Sequence, residues 1–205
     1  MNSPYKVHKL DFDANSVFER LLELKPYWEL RSPDVGFYTL GKSSYIEGRT
    51  PAYKEEKDRL NALLASNFQD LYISMLTKLT DIMKEPVLLS TELAIPGFHI
   101  FEVDERMEGQ AGNWHTDYPH ITLGLDGTDH STVTVAVKLP QSGAGLDWID
   151  QEGEHYLPYA ENDMIMHDGT NLHRIAGPKD IVPGEYRVTL QGHIIRRDNG
   201  LEIYW

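Results

Sequence analysis

His115 is the one histidine among nine that is followed two residues later by a carboxylate, Asp117, within the segment GNWHTDYPH. On an extended chain, residues i and i+2 point to the same face, so an imidazole nitrogen and a carboxylate oxygen can reach one metal ion. The chain has no cysteine, which excludes thiolate metal sites, disulfides and cysteine nucleophiles. A transition-metal site must therefore be built from His, Asp and Glu.

A third ligand has to come from a distant strand that folds back beside this pair. His173, in NLHRIAG, lies in a later β-rich run and is the favoured candidate. His167, in DMIMHD, competes with it, but His173 has the more suitable LHRI context and spacing to a later arginine. Two histidines and one carboxylate on one face of an ion leave the other face open, which suits Fe(II) that must bind a cosubstrate and O2.

Arg187, in EYRVTLQGH, is the cation best placed to accompany such a centre. A guanidinium can grip a carboxylate through two parallel hydrogen bonds. Thr189 lies two residues on, hence on the same strand face, and its hydroxyl can add a hydrogen bond. Among the alternatives, Arg174 should point away from the metal, and Arg196 and Arg197 lie near a turn and should be solvated.

The ordered set H-x-D, a distant H, and then R-x-T resembles the Fe(II)/2-oxoglutarate-dependent dioxygenase superfamily over residues 97–196. FHIFEV…GNWHTD, GLDWID and DMIMHDGTNLHRIAG resemble the family's strands around the ligands. The resemblance implies a double-stranded β-helix (a jelly-roll, cupin-like barrel), Fe(II), 2-oxoglutarate as cosubstrate, O2, and succinate and CO2 among the products. It matches His115, Asp117 and His173 to the iron ligands and Arg187 to the residue that binds the 5-carboxylate.

The same resemblance narrows the reaction to a hydroxylation, or an oxidative desaturation or cyclisation. In related halogenases the ligating carboxylate is replaced by a small residue, whereas this chain has Asp117. Two rival interpretations stay open: a cupin-like metal enzyme that does not use 2-oxoglutarate, and a non-catalytic ligand-binding jelly-roll. Cupins tend to offer H-x-H with a following Glu, and that pattern is absent here.

The surrounding sequence predicts how these residues are positioned. Apolar spacing predicts helices over 15–25 and 54–84, and 36–47 is interpreted as strand and loop. From about residue 86, short β-rich runs alternate with turn residues, which is typical of an all-β sandwich or barrel. We therefore expect one domain, 1–205, with 1–90 as helical support and 91–205 as the catalytic jelly-roll. The runs are VLLSTELAI, GFHIFEV, HITLGL, STVTVAVKL, GLDWID, EHYLPY, DMIMHD, NLHRIA, YRVTLQGHIIR and LEIYW.

Composition restricts the partners. The chain has 205 residues and a formal net charge of −13, which disfavours nucleic acid. Its N-terminus has no apolar run and no stretch approaches a membrane span, so a soluble cytoplasmic protein is expected. We expect a small-molecule substrate, such as an amino acid or a natural-product intermediate; the oligomeric state is open. Five aromatic residues are candidates for the pocket mouth or for ordinary packing: Tyr38, Tyr45, Trp114, Tyr118 and Trp148.

Overall fold

The computed structural model describes residues 4–48, 50–107, 112–178 and 180–205, without the side chain of residue 129. The helices are α1 (Ala14–Glu23), α2 (Ser44–Glu47), α3 (Tyr53–Asn67), α4 (Gln69–Met83) and α5 (Pro119–Leu123). The strands are β1 (Lys6–Lys9), β2 (Glu29–Ser32), β3 (Phe37–Leu40), β4 (Val87–Leu89), β5 (Gly97–Val103), β6 (Thr128–Lys138), β7 (Gly145–Asp150), β8 (Gly153–Pro158), β9 (Asp163–His167), β10 (His173–Ile175), β11 (Glu185–Arg197) and β12 (Gly200–Tyr204).

Two antiparallel sheets form the body of the molecule. The larger runs β1-β9-β6-β11-β5-β3-β2, and β12 pairs with β11 while β4 joins β12 in parallel. The smaller runs β10-β7-β8. This β-rich arrangement, with helices placed early in the chain, confirms the predicted fold class. None of the helices in the described ranges is long and apolar enough to cross a membrane.

Alternation along the strands of the larger sheet divides its residues between a core and a cavity. On β6, Val133 and Val135 are fully buried in the core cluster that also contains Val17 and Leu21 of α1. Their neighbours Thr132 and Thr134 point the other way, toward the cavity between the sheets. The helices thus cover one face of the sheet, and polar side chains on its other face line the cavity.

The predicted helix over 54–84 is wrong as a single element, because it breaks at Phe68 into α3 and α4. Phe68 has non-helical dihedral angles, φ −127° and ψ 31°, although its N–H still donates to the carbonyl of Leu64. Its ring is fully buried with its centroid 4.7 Å from that of Phe98. The break therefore lets a large side chain pack onto the sheet at a point where a straight helix would continue past it.

Two other expectations need correction. HITLGL was predicted as a strand but lies in and just after helix α5, because Pro119 suits the first helical turn and Gly124, in the left-handed region at φ +65°, ends it. The segment 1–90 is more than helical support. It contributes β1, which pairs with β9, and β3, which pairs with β5 and carries β2 at the edge.

Candidate metal centre

Backbone pairing brings the two distant histidines side by side. The N–H of His115 donates to the carbonyl of His173, and the N–H of His173 donates to the carbonyl of His115, both at 2.9 Å. Their ring centroids are 4.5 Å apart. Asp117 is positioned by its N–H, which donates to the carbonyl of Gly169 at 3.0 Å. Gly169 is at φ +77°, and a Cβ there would lie 2.6 Å from the carbonyl oxygen of Asp117, so only glycine fits.

The three side chains converge on one point. His173 Nε2 is 3.3 Å from Asp117 Oδ2, and His115 Nε2 is 3.7 Å from Asp117 Oδ1. The three ligand atoms all lie within 4.8 Å of one another. A metal ion binds imidazole nitrogen at about 2.0–2.1 Å, so atoms at these separations can share one ion with small side-chain movements.

Hydrogen bonds define which nitrogen of each of these imidazoles is free. His115 Nδ1 is 2.8 Å from the carbonyl of Asn113, and His173 Nδ1 is 2.8 Å from the carbonyl of Asn171. A carbonyl only accepts, so both Nδ1 atoms carry the proton. In the neutral rings both Nε2 lone pairs are then available, which is the state that a metal requires.

The carboxylate of Asp117 is held by a short polar chain. Thr132 Oγ1 donates to Oδ2 at 2.9 Å, and His193 Nδ1 lies 3.2 Å from the same hydroxyl. Because the hydroxyl donates to the carboxylate, it accepts from His193. Burial by itself would raise the pKa of Asp117, but its hydrogen bond to His173 and the neighbouring imidazoles outweigh burial and hold that pKa well below its usual range. The side chain is therefore an anion at physiological pH.

The same contact affects His173. Burial by itself would lower the pKa of His173, but the hydrogen bond and the charge of Asp117 raise it above its ordinary value. Without metal, a proton therefore competes for the nitrogen that faces Asp117.

His167 lies beside this centre but outside the set of mutually close ligand atoms. Its Nε2 is 4.0 Å from Asp117 Oδ2, and its Nδ1 accepts the N–H of Gly169 at 3.1 Å. Burial lowers the pKa of His167 to about 4, so the ring is neutral. A neutral ring with Nδ1 as acceptor carries its proton on Nε2, and that nitrogen has no lone pair for a metal. The geometry thus favours His173 over His167 as the third ligand.

Arg187 lies in the same cavity, which has a volume of about 170 Å³ and also contains the three candidate ligands. Its side chain is buried, and Nε and Nη1 have no hydrogen-bond partner among the described residues. The guanidinium carbon is 5.7 Å from the ring centroid of Phe101 and 5.8 Å from that of Tyr159. Burial lowers the pKa of Arg187, but an arginine remains charged at any physiological pH. A buried cation with two unused donors is suited to an anionic ligand.

Thr189 is fully buried on the same strand but is not among the residues that line the cavity. Its hydroxyl accepts a hydrogen bond from Gln191 Nε2 at 3.1 Å, and Gln191 forms the wall in its place. Gln191 Oε1 in turn accepts from Thr134 Oγ1 at 2.9 Å. The i+2 spacing from Arg187 thus gives the correct strand face, but the longer Gln191 side chain lies between Thr189 and the cavity.

Several wall residues had no motif to mark them. Phe37 and Trp205 come from opposite ends of the chain, and Trp205 packs so closely that a Cβ on Gly97 would lie 2.1 Å from its ring. Of the five aromatic candidates, Tyr45 lines the cavity. The indole of Trp114 instead lies against a guanidinium, with 4.2 Å between the arginine carbon and the ring centroid.

The other arginines are engaged elsewhere. Arg174 forms ion pairs with Asp147 and Glu154, at 3.0 and 2.9 Å. Arg196 and Arg197 each pair with a glutamate outside the cavity. Arg187 is the arginine that lines the cavity within the described ranges.

Solved structures resemble this chain over nearly its whole length. An oxidoreductase of the 2OG-Fe(II) oxygenase family from Burkholderia pseudomallei is 13% identical, with a TM-score of 0.54, and the match covers 96% of this chain and 86% of that chain. The chain therefore shares its fold with this member of the 2OG-Fe(II) oxygenase family. HygX from Streptomyces hygroscopicus, with nickel and 2-oxoglutarate bound, shares this oxygenase fold at 10% identity and a TM-score of 0.53, with coverage of 93% and 82%.

A second HygX structure, which also contains hygromycin B, matches with a TM-score of 0.50 and the same identity and coverage. No family model matches the chain, and neither does any curated protein. At these identities the likeness establishes the oxygenase fold, and the chemistry has to be argued from the residues of the site.

Proposed function

We propose that this protein is an Fe(II)- and 2-oxoglutarate-dependent oxygenase that hydroxylates a small molecule and releases succinate and CO2. The observation that carries the proposal is the pairing of two features in one cavity. One is a cluster of two imidazole nitrogens and one carboxylate. The other is a buried guanidinium with unused donors. The first suits an iron with open coordination positions, and the second suits the far carboxylate of a dicarboxylic acid.

The residues fit both groups. His115, Asp117 and His173 would hold the iron, since their donor set of two nitrogens and one oxygen is the one found in non-haem iron oxygenases. Arg187 would bind the 5-carboxylate of 2-oxoglutarate, because its Nε and Nη1 are buried and find no partner among the residues that the structure describes. When bound, iron and 2-oxoglutarate together use O2 to form succinate and CO2 and to insert one oxygen atom into a C–H bond of the substrate.

The protein's own contribution is to position the metal ligands and the cosubstrate and to exclude water from the cavity. Thr132 holds one oxygen of Asp117 through its hydroxyl, which leaves Oδ1 facing His115 for the metal. The buried guanidinium of Arg187 anchors the cosubstrate at one end, so its orientation is defined before the substrate arrives. The cavity walls include Phe101 and Tyr159, whose rings reduce access of water to that end.

A small substrate is supported by two observations. HygX, which has the same fold, has been crystallised with hygromycin B. The net charge of −13 disfavours polyanionic substrates such as nucleic acids. Hydroxylation is preferred to halogenation because Asp117 occupies the position where a halide would otherwise bind.

The test is 2-oxoglutarate-dependent O2 uptake by protein reconstituted anaerobically with Fe(II), across a panel of amino acids and related metabolites. Succinate formation and a product heavier by one oxygen atom are expected. Metal binding without succinate formation would favour a metal enzyme that does not use 2-oxoglutarate. A failure to bind Fe(II) would favour a ligand-binding jelly-roll.

A further inference from the structure

His167 is a third histidine beside Asp117 and has no role in holding the metal. Its side chain is 2% exposed, its ring centroid is 4.8 Å from that of His173, and it lines the cavity. We infer that His167 donates a hydrogen bond through Nε2–H to the carboxylate oxygen of a 2-oxo acid bound at the metal. This inference rests on the proposed function and extends it to a residue that binds the cosubstrate directly.

The direction of the proton follows from a backbone contact. The N–H of Gly169 can only donate, and it donates to His167 Nδ1 at 3.1 Å. The proton of the neutral ring is therefore on Nε2. His173 has the opposite arrangement, since its Nδ1 faces a carbonyl and its Nε2 is an acceptor. Two adjacent rings thus present different groups to the same centre, a lone pair from His173 and an N–H from His167.

The N–H of His167 has no acceptor within the part of the chain that the structure describes. Asp117 Oδ2 is 4.0 Å from Nε2, which is too far for a hydrogen bond. Oδ2 is also occupied by the hydroxyl of Thr132 at 2.9 Å. None of the described residues accepts a hydrogen bond from Nε2–H, so this donor is available to a ligand in the cavity that His167 lines.

A 2-oxo acid provides that acceptor at the correct end. Its far carboxylate is assigned to Arg187, so its near carboxylate and keto oxygen would bind the metal that His115, Asp117 and His173 would hold. His167 is beside Asp117 and His173 on this side of the cavity. An N–H that is held in place before the ligand binds donates without further ordering of its side chain, which makes the hydrogen bond more effective.

The experiment uses full-length protein loaded with Ni(II) in place of Fe(II), and two variants of His167. His167→Phe keeps an aromatic ring without a donor, and His167→Gln keeps an N–H at about the distance of Nε2. Calorimetry would measure the affinity for Ni(II) first and then the affinity for 2-oxoglutarate at saturating Ni(II). Thermal unfolding followed by circular dichroism would verify that both variants fold.

We expect Ni(II) affinity to change less than threefold in both variants. The affinity of His167→Phe for 2-oxoglutarate should fall about tenfold to a hundredfold, as is typical for a lost hydrogen bond to a charged group. His167→Gln should recover most of it. Equal affinities of wild type and His167→Phe for 2-oxoglutarate would overturn the inference. A fall in Ni(II) affinity as large as that of His173→Ala would also overturn it, because His167 would then be a ligand. If the wild-type protein bound Ni(II) but no 2-oxoglutarate, the proposed function itself would be refuted, and the inference with it.

Discussion

Replacing Arg187 by Met should have opposite effects on the stability of the ligand-free protein and on its affinity for 2-oxoglutarate. The Arg187 side chain is buried, and no described residue forms a hydrogen bond with its Nε or Nη1. Each unpaired buried donor costs about 1–3 kcal/mol. The contacts with the rings of Phe101 and Tyr159 return up to roughly 2 kcal/mol. Methionine fills similar space with an unbranched apolar chain, so the free energy of unfolding of Arg187→Met should be unchanged or higher by about 1–3 kcal/mol.

The same substitution should lower the affinity for 2-oxoglutarate. Two charge-assisted hydrogen bonds from Arg187 to a carboxylate are worth about 1.5–3 kcal/mol each, so their loss should weaken 2-oxoglutarate binding by roughly 3–6 kcal/mol, about 10²-fold to 10⁴-fold. Arg187→Lys is the matched control, because it keeps the charge but loses the planar fork. Its affinity should lie between those of the other two proteins.

Both quantities can be measured on the same preparations. Urea unfolding of metal-free protein gives the stability, and calorimetry of Ni(II)-loaded protein gives the affinity for 2-oxoglutarate. A variant Arg187→Met that binds 2-oxoglutarate as tightly as wild type would refute the assignment of the cation. If metal-free Arg187→Met were less stable than wild type by more than about 3 kcal/mol, the guanidinium would be needed for folding and would not be a group that serves mainly to bind a ligand.

Three further predictions follow from the same site. Asp117→Ala should abolish turnover and Ni(II) binding, whereas Thr132→Val, which removes only the hydroxyl that holds Asp117, should lower Ni(II) affinity about tenfold to a hundredfold by calorimetry. Ni(II) affinity should decrease below neutral pH, because Asp117 raises the pKa of His173 and a proton then competes for its Nε2; a flat profile between pH 8 and 5.5 would contradict this. Urea unfolding should show that metal-free protein loses stability as the pH falls from about 6.5 to 4. The loss should be up to about 1.4 kcal/mol per pH unit for each histidine whose pKa is lowered by burial, because these rings are protonated in the unfolded chain but stay neutral in the folded protein. The histidines concerned are His99, with a pKa lowered by burial to about 3, and His167 and His193, each with a pKa lowered by burial to about 4.

The strands of the jelly-roll could be predicted where their pattern is long or strongly alternating. STVTVAVKL lies in β6 except for its last residue, Leu139, and GLDWID coincides with β7. HITLGL could not be assigned, because over six residues an apolar run is compatible with a strand and with a helix. Its outcome depended on Pro119 and Gly124, which start and stop a helical turn. The break at Phe68 was equally invisible, since apolar spacing continues through it.

The site was predictable to the extent that spacing along a single strand determines it. The H-x-D pair and the strand of Arg187 needed only the two-residue alternation of an extended chain. Phe37 and Trp205 could not be found in this way, because their place in the wall depends on how β3 and the residue after β12 pack around the cavity. Tyr45, in α2, could be named only as one of five aromatic candidates. The resemblance covers only residues 97–196, so it contains no information on any of these three residues.

The different roles proposed for the histidines around Asp117 can be traced to the backbone next to each ring. His115 and His173 each stand two residues after an asparagine whose carbonyl faces Nδ1, and the reciprocal bridge between the two residues gives them a related local conformation. His167 instead stands two residues before Gly169, whose N–H faces Nδ1. A carbonyl at that nitrogen makes the opposite nitrogen a metal ligand, and an N–H makes it a donor. Residue type alone therefore could not show which of His167 and His173 is the better metal ligand. The distinction depends on the peptide group that lies beside Nδ1 of each ring.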